Sequence, residues 1–343
     1  MRKKVVFTFL SGLFPVCSKT VLDLVFHRDG LFRTIDDIGD PSRRLCPVDD
    51  LDWGLPELHS ATGTLPSILL RFVMHPSIIC QYAPPDVTVS ATSDFTQIEN
   101  SIVVLHKTLL QHDDVENLVY LKKRNNILLF DMLDYNGSKL EEKLAVLDGL
   151  ILCSNKAYAH YSDLDWVKKP IFYVTHCIDT RIPERAVPLP AFSPLFHGAP
   201  ENMLYYPSLA RVLNTAFCYS QYTSQEEWLQ KTLEANFFYA LRPDNQGFQA
   251  RPFQKGFTAA QLDSNILIHR NDGDALHYLG EDYPYMIHEE PTEEVVYYYM
   301  KMARKDFDGP QWHRGLEIMR GLKPHYAPAK IGGEFWDMMH SFI

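Results

Sequence analysis

From residue 100 onward, short apolar runs alternate with segments of helical periodicity, and this alternation limits the available folds more than any other feature. Each run has the length of a strand, and the segments between runs are long enough for a crossover helix. Short buried strands that alternate with helices indicate β-α-β units, and such units form a parallel sheet. The predicted strands are 102–106, 127–130, 150–153, 171–174, 192–196, 216–219, 237–241, 266–269 and 285–288, and the predicted helices are 114–124, 139–147, 201–213, 225–233, 253–262 and 274–279.

A proline-rich segment divides this pattern into two series. Pro183, Pro188, Pro190 and Pro194 lie close together in the sequence, and clustered prolines are typical of a linker between domains. A chain of 343 residues is also long enough for two domains. We therefore predict an N-terminal domain over residues 1–182, which begins with a buried strand and carries irregular insertions between residues 20 and 100. The predicted C-terminal domain covers residues 183–343 and is mostly helical from residue 293.

The composition argues against several classes of function. The formal net charge of −10 disfavours broad contact with a nucleic-acid backbone, which requires clustered lysine and arginine. None of the six cysteines forms a C-x-x-C pair, so neither a zinc site nor a dithiol redox motif is indicated. No uncharged stretch reaches the ~20 residues that span a membrane. We expect a cytoplasmic protein, and the sequence leaves open a peripheral contact with a membrane.

The segment from Arg242 to Gly280 contains residue types that bind a diphosphate. Arg242 follows a predicted strand, and Lys255 stands at the start of the next predicted helix. The amino end of a helix offers N–H groups and a positive partial charge to an anion. Lys255 adds a full positive charge, and Thr258 adds a hydroxyl. On residue types alone, a surface loop beside a well-packed helix explains this segment equally well.

Two carboxylates, Asp131 and Asp134, follow the predicted strand 127–130 in the N-terminal half. A carboxylate at the carboxyl end of a strand could take a proton from an acceptor hydroxyl, or could accept hydrogen bonds from a sugar. The alternative is that either aspartate caps a turn, which is a very common role for this residue. The D-x-x-D spacing does not favour a metal-binding D-x-D motif, so we predict no metal site.

Two further candidates follow strands of the N-terminal half. Lys107 comes after the predicted strand 102–106 and could hold a phosphate or an anionic acceptor, whereas the alternative is an exposed lysine. His176 follows the predicted strand 171–174 and could act as a base, with a structural histidine as the alternative. Ligands of open α/β sheets bind beyond the carboxyl ends of the strands, so both residues stand where a ligand is expected.

Two stretches of the C-terminal half resemble glycosyltransferases of the GT-B type. The residues from Lys255 to Ala260, followed by Asn265 to Ile268, are similar to the family's nucleotide-sugar segment, which leads from a phosphate loop through a helix to a strand. The residues from His197 to Asn202 resemble the first strand and the glycine turn of the family's C-terminal domain. In the family, that turn approaches the donor phosphates or the acceptor. These motifs resemble bacterial glycan-biosynthesis members without fixing one exact family.

The resemblance implies an α/β fold with two Rossmann-like domains that face a cleft, and a final helix that crosses back to the N-terminal domain. It implies transfer of a sugar from a nucleotide-sugar donor to a hydroxyl of a glycan or lipid-linked acceptor, without a metal or a cofactor. The site residues that we predict are, for the donor, Gly198, Asn202, Arg242, Lys255 and Thr258; for catalysis, Asp134 and His176; and for the acceptor side, Lys107 and Asp131.

One departure from the family pattern concerns stereochemistry. Retaining GT-B families often carry a Glu-x7-Glu pair in this region, and this chain has Gln246 and Gln254 at comparable places. Inverting and retaining outcomes therefore both stay open. Two other functions fit the same residues: a non-catalytic module that binds a nucleotide sugar, and a GT-B-shaped epimerase of sugar nucleotides.

Overall fold

The computed structural model describes residues 3–8, 23–26, 31–34, 46–47, 69–92, 95–107, 115–133, 140–217, 225–243 and 251–343. The chain forms two compact units. The first unit contains residues 1–180 together with residues 327–343, and the second contains residues 181–326. The C-terminal segment of the chain therefore belongs to the first unit.

The first unit is built around a mostly parallel sheet. Its strands are β1 (Lys3–Thr8), β2 (Asp23–Phe26), β3 (Leu31–Thr34), β4 (Cys46–Pro47), β5 (Val87–Thr92), β6 (Ile102–His106), β7 (Ile127–Asp131), β8 (Gly149–Leu152) and β9 (Ile171–Tyr173). Within the described residues, they form one nine-stranded sheet in the order β4-β3-β2-β5-β1-β6-β7-β8-β9. The strands from β5 to β9 in this order pair in parallel, and β2, β3 and β4 pair antiparallel at one edge.

The helices of the first unit include the end of the chain. They are a π-helix (Leu69–Met74), α1 (His75–Gln81), α2 (Val115–Lys123), α3 (Leu140–Leu144), α4 (Asn155–Ser162) and the C-terminal helix (Pro328–Met339). Trp336 of the C-terminal helix donates a hydrogen bond from Nε1 to the carbonyl of Ile79 in α1, at 2.9 Å. The backbone amide of Thr175 donates to Glu334 at 2.7 Å. Buried polar contacts thus join the C-terminal helix to the first unit, beside a core that contains Phe335.

The second unit has a smaller, fully parallel sheet. Its strands are β10 (Pro194–Gly198), β11 (Asn214–Phe217), β12 (Phe237–Tyr239), β13 (Asn265–His269) and β14 (Met286–Ile287), in the order β11-β10-β12-β13-β14. Its helices are α5 (Gln225–Leu233), α6 (Gln254–Gln261), α7 (Ala275–Leu279), α8 (Glu293–Asp306) and α9 (Pro310–Arg320). All five residues of β13 are buried, as expected for a parallel strand that is covered on both faces.

Each sheet contains a strand that has one neighbour on either side, and both neighbours come later in the chain. In the second unit this strand is β10, which lies between β11 and β12, and in the first unit it is β1, which lies between β5 and β6. Ligands bind at such switch points, beyond the carboxyl ends of the strands. Gly198 is the last residue of β10, Arg242 follows β12, and Lys107 follows β6. The fold therefore brings these predicted site residues to the edges where ligands are expected.

The strand and helix pattern predicted from residue 100 onward is largely confirmed, and one helix is wrong. An α/β fold with two Rossmann-like domains is confirmed by the two parallel sheets. A single helix over residues 201–213 does not form, since the chain makes two short 3₁₀-helices instead, Pro200–Asn202 and Pro207–Arg211. Pro207 is the cause, because a proline pushes the preceding residue out of the helical region, and Tyr206 is indeed extended at φ −125° and ψ 143°.

The region between residues 20 and 100 is more regular than expected. Its strand β5 lies inside the sheet and pairs in parallel with β1 along six residues. The three antiparallel strands β2, β3 and β4 extend the same sheet on the other side of β5. Among the described residues, Cys80, Cys153 and Cys177 are buried cysteines. No helix in the described ranges is long and apolar enough to span a bilayer.

Candidate ligand sites at the carboxyl edges of the two sheets

A glycine turn and a lysine lie together at the carboxyl end of β10. Gly198 has φ of +135°, a conformation that other residues rarely adopt. A β-carbon placed on Gly198 would stand 3.5 Å from Nζ of Lys255, so the lysine side chain passes directly over the turn. The ammonium group also lies 4.2 Å from the centre of the Phe196 ring, where a cation is attracted to the ring face. Gly198 and Lys255, which the sequence predicts to bind the donor, are therefore neighbours in space.

The start of α6 presents backbone N–H groups beside the same lysine. Lys255 is the second residue of α6, and no side chain caps the helix at Phe253. The Phe253 ring instead packs across the first turn, and a β-carbon on Gly256 would lie 2.0 Å from that ring. Only a glycine allows this close approach. An uncapped helix start next to a lysine combines the two features that attract an anion.

Two arginines meet at the other end of the glycine turn. Nη1 of Arg242 donates to Oδ1 of Asn202 at 2.6 Å, and Nη1 of Arg251 donates to the same oxygen at 3.1 Å. Asp272 stands 3.4 Å from Nε of Arg242 and partly balances its charge. The segment from Gly198 to Asn202 thus contacts Lys255 at its start and both guanidinium groups at its end. Three basic side chains are gathered around one turn.

Thr258 and His197 lie deeper in the second unit. Thr258 is fully buried, and its hydroxyl has no hydrogen-bond partner among the described residues. The ring of His197 stacks on Trp228 with the two planes 3° apart. Burial, and then the positive charge of Lys255, lower the pKa of His197 to about 3. This neutral histidine sits within the electrostatic range of Lys255.

In the first unit, the Asp131 carboxylate is engaged by a buried arginine. Nε and Nη2 of Arg71 donate to its two oxygens at 2.7 Å and 2.8 Å, and both residues are 2% exposed. Although burial opposes the charge of Arg71, the ion pair with Asp131 raises the pKa of the guanidinium. Arg71 belongs to the π-helix, a rare element that is frequent at functional sites. Its Nη1 has no hydrogen-bond partner among the described residues.

Two histidines lie close to this ion pair. Nδ1 of His176 is 2.6 Å from the carbonyl oxygen of Cys177, and because a carbonyl only accepts, Nδ1 carries the proton of this bond. His75 is 1% exposed, and neither of its ring nitrogens has a hydrogen-bond partner within the described part of the chain. Burial, with the charges of Arg71 and His176, lowers the pKa of His75 well below its usual value.

Of the two remaining candidates of the first unit, only Lys107 lies within the described residues. Lys107 is half-buried just beyond β6, at the switch point of the sheet. Asp134 lies outside the described residues, so its predicted catalytic role stays a prediction. In the described ranges, no group of three or more His, Cys, Asp or Glu side chains could hold a metal ion.

The sequence did not single out Arg71, His75, Arg251 or Asp272. Arg71 lies 60 residues from its partner Asp131, and Arg251 lies 49 residues from Asn202, so local patterns do not connect them. One signal was available for Arg251: it stands with Arg242 between a predicted strand and the predicted helix that contains Lys255, where phosphate-binding loops occur.

Comparison with protein-family models gives no match, and comparison with curated protein sequences gives none either. Among solved structures, the chain is similar to HepE from Anabaena in complex with UDP, at a TM-score of 0.49 and 7% identity, over 69% of this chain and 78% of that one. It is similar to the pneumococcal O-GlcNAc transferase GtfA in complex with UDP and GlcNAc, at a TM-score of 0.48 and 8% identity, over 70% of this chain and 56% of that one.

A third similar structure is an α,α-trehalose-phosphate synthase (UDP-forming) from Burkholderia vietnamiensis. Its TM-score is 0.47 and its identity 7%, over 76% of this chain and 90% of that one.

Proposed function

We propose that this protein is a glycosyltransferase that uses a nucleotide-sugar donor. The observation that carries the proposal is the turn from Gly198 to Asn202, which contacts Lys255 at one end and Arg242 and Arg251 at the other. A diphosphate is the ligand that suits several cations, an uncapped helix start and a glycine that lets the ligand approach the backbone.

In this proposal the second unit binds the donor diphosphate. Lys255 and the first N–H groups of α6 contact one phosphate, and the two guanidinium groups contact the other. Asn202 and Asp272 hold the guanidinium groups in position. Negative charge builds on the diphosphate as it leaves the sugar, so groups that are already oriented toward it lower the barrier. Gly198 and Thr258 support the approach of the donor at the end of β10 and along α6.

The acceptor would be bound by the first unit, at the carboxyl edge of its sheet. We assign proton removal to His176, because a proton on Nδ1 leaves the lone pair of the neutral ring on Nε2. The acceptor oxygen gives its proton to Nε2 and bonds to the anomeric carbon of the sugar. The bond from that carbon to the diphosphate breaks, and its electron pair stays on the diphosphate oxygen. Asp131 keeps Arg71 in place, Lys107 contacts the acceptor, and the catalytic role of Asp134 stays a prediction from the sequence.

The acceptor class in this proposal is a hydroxyl of a glycan or of a lipid-linked glycan, and the reaction needs no metal and no cofactor. The neutral balance of the Arg71–Asp131 pair supports an uncharged, hydroxyl-rich acceptor at this edge. The protein would act in the cytoplasm, where nucleotide sugars are available, and contact with a membrane surface would depend on the acceptor.

Binding of the donor is tested by thermal shift with UDP, GDP, ADP, TDP and CMP. We expect at least one nucleoside diphosphate to raise the melting temperature of the wild type, and Lys255→Met to remove most of that shift. Lys305→Met is the matched control, because Lys305 is an exposed lysine of α8. If no nucleotide stabilises the protein, or if Lys255→Met responds as the wild type does, the proposed donor site is wrong.

Catalysis is tested separately by product analysis with the nucleotide sugar that binds. Transfer predicts a glycosylated acceptor and free nucleoside diphosphate, both lost in His176→Ala. Conversion of the donor into another sugar nucleotide without any acceptor would identify an epimerase instead. Binding without either product across a panel of glycan acceptors would identify a binding module.

A further inference from the structure

A second basic site lies in the second unit, at the edge opposite to the proposed donor site. A cavity of about 280 Å³ opens between α8 and the beginning of the sheet. Its lining includes Pro194, the first residue of β10, whereas Gly198 is the last residue of that strand. Four steps along a strand cover roughly 13 Å, so the cavity is distinct from the glycine turn.

The cavity is bordered by three positive charges. Arg211 ends a 3₁₀-helix, and Lys301 and Arg304 come from α8. All three side chains are exposed, and none of the described residues that line the cavity is acidic. This concentration of positive charge contrasts with the net charge of −10 of the whole chain. The charge therefore favours an anion.

The floor of the cavity is apolar and aromatic. Phe192 and Tyr297 line it together with Pro194. The ammonium group of Lys301 stands 4.3 Å from the centre of the Tyr297 ring, which fixes one positive charge at the side of the cavity. Residues 297, 301 and 304 follow the spacing that places side chains on one face of a helix. One face of α8 thus supplies an aromatic ring and two cations.

Helix stability accounts for part of this arrangement. Arg304 lies in the last turn of α8, where cations interact favourably with the helix dipole. The helix dipole does not explain why Arg211, which belongs to a different element, borders the same cavity as the two cations of α8. Like charges that border one cavity repel each other, and an anion between them relieves that repulsion.

We propose that this cavity binds a phosphate group, with the two arginines as its main contacts. The guanidinium fork matches phosphate oxygens, and a ring beside it can cover the apolar part of the ligand. A volume of about 280 Å³ is at the small end of ligand pockets, so the site takes a phosphate ester or a lipid head group and not a whole nucleotide sugar. The site is independent of the proposed transfer reaction.

The test uses inorganic pyrophosphate as the probe, in calorimetric titrations of the Lys255→Met variant so that the donor site is weakened. We expect binding that falls by about tenfold to a hundredfold when Arg211→Gln and Arg304→Gln are added. Lys305→Gln, an exposed lysine of α8 that does not line the cavity, should leave binding unchanged. Arg211→Lys with Arg304→Lys should give an intermediate affinity, because the charge remains and the fork is lost.

A second arm uses vesicles of phosphatidylcholine with or without phosphatidylglycerol. If the protein sediments only with the anionic vesicles, and the double glutamine variant does not, the phosphate belongs to a lipid head group. Binding of pyrophosphate without vesicle binding would place it on a soluble ester. The proposal is overturned if neither probe binds, or if the double glutamine variant binds as the Lys255→Met protein does while its circular dichroism melt is unchanged. Neither result bears on nucleotide binding by the wild type.

Discussion

The carboxyl edges of the two sheets hold charged groups in opposite ways. At the first sheet, the Asp131 carboxylate takes both hydrogen bonds from Arg71, and the pair is buried and neutral overall. At the second sheet, Arg242 and Arg251 share one uncharged oxygen of Asn202, and Lys255 lies over the same turn. The ion pair at the first edge balances its own charge, whereas the group around Asn202 at the second edge keeps an excess of positive charge even with Asp272 beside it.

This difference teaches which ligand each edge suits. A neutral edge with orphan donors and acceptors suits hydroxyl groups, which both donate and accept hydrogen bonds. An edge with an excess of cations and an uncapped helix start suits a diphosphate. In the proposed function, two sheets of the same class thus suit different ligands because of a few side chains beyond their strands. Changes to those side chains should therefore have effects specific to one unit.

The largest effect is expected from the buried ion pair of the first unit. Arg71→Leu leaves the Asp131 carboxylate buried without its partner, and removal of one partner from such a pair costs about 3–5 kcal/mol. We expect the free energy of unfolding, measured by urea titration, to fall by that amount. Arg71→Leu together with Asp131→Leu should recover most of the loss, because no charge is then left unpaired. A double variant as unstable as the single one would show that the pair does more than balance charge.

The glycine turn of the second unit should be the next most sensitive. Gly198→Ala forces a side chain into φ of +135°, and strain of this kind costs about 1–3 kcal/mol. We expect lower stability and weaker nucleotide binding together, measured by urea titration and by thermal shift. Gly333→Ala is the control, since a β-carbon there meets no atom within 4 Å and alanine suits a helix. Equal behaviour of the two variants would mean that the turn is not constrained.

Acid should weaken the second unit through His197. Its folded-state pKa of about 3 lies below the ordinary value near 6.5. Between these two pH values the unfolded chain binds a proton at this histidine and the folded chain does not. Stability is therefore lost as pH falls through 6.5 toward 3, by about 2 kcal/mol between pH 7 and pH 5. We expect His197→Phe, which keeps a ring against Trp228, to remove that part of the pH dependence in urea titrations. The remainder should include His75 of the first unit.

A smaller and more specific effect is expected from the charge of residue 202. Asn202→Asp has the shape of the wild type and places a second carboxylate, besides Asp272, next to the two guanidinium groups, so the positive excess of the second edge falls. We expect about tenfold weaker nucleoside diphosphate binding in calorimetry, with no loss of stability. Gln311→Glu adds the same charge at the exposed start of α9, outside both proposed sites, and should leave nucleotide binding unchanged. Similar losses in both variants would point to a general effect of charge.

Much of the fold could be predicted because parallel strands are buried on both faces. The segment Ile102–His106 reads as a continuous apolar run, and the structure has a strand with these same limits. The strand β5 was missed because Thr88, Ser90 and Thr92 interrupt its apolar residues. Its place inside the sheet comes from pairing with β1, which lies far away in the sequence. The proline within 201–213 argues against a single helix, although the segment has helical periodicity.

The candidate site was predictable where its residues follow strands or begin the next helix. The sequence singles out Gly198, Arg242 and Lys255 because chain order brings such positions to one edge of a parallel sheet. The contacts that orient them were not found, because Asn202 meets Arg251 only after the chain has folded. The same holds for Arg71, whose π-helix gives no periodic signal and whose partner lies on β7.

The most direct test of the donor site is a crystal structure with the nucleoside diphosphate that stabilises the protein most. The account predicts phosphate oxygens within hydrogen-bonding distance of Nζ of Lys255 and of at least one guanidinium of Arg242 or Arg251, with the ligand against the backbone of Gly198. A diphosphate bound in the basic cavity beside Arg211, or beside Arg71 in the first unit, with the glycine turn empty, would contradict it.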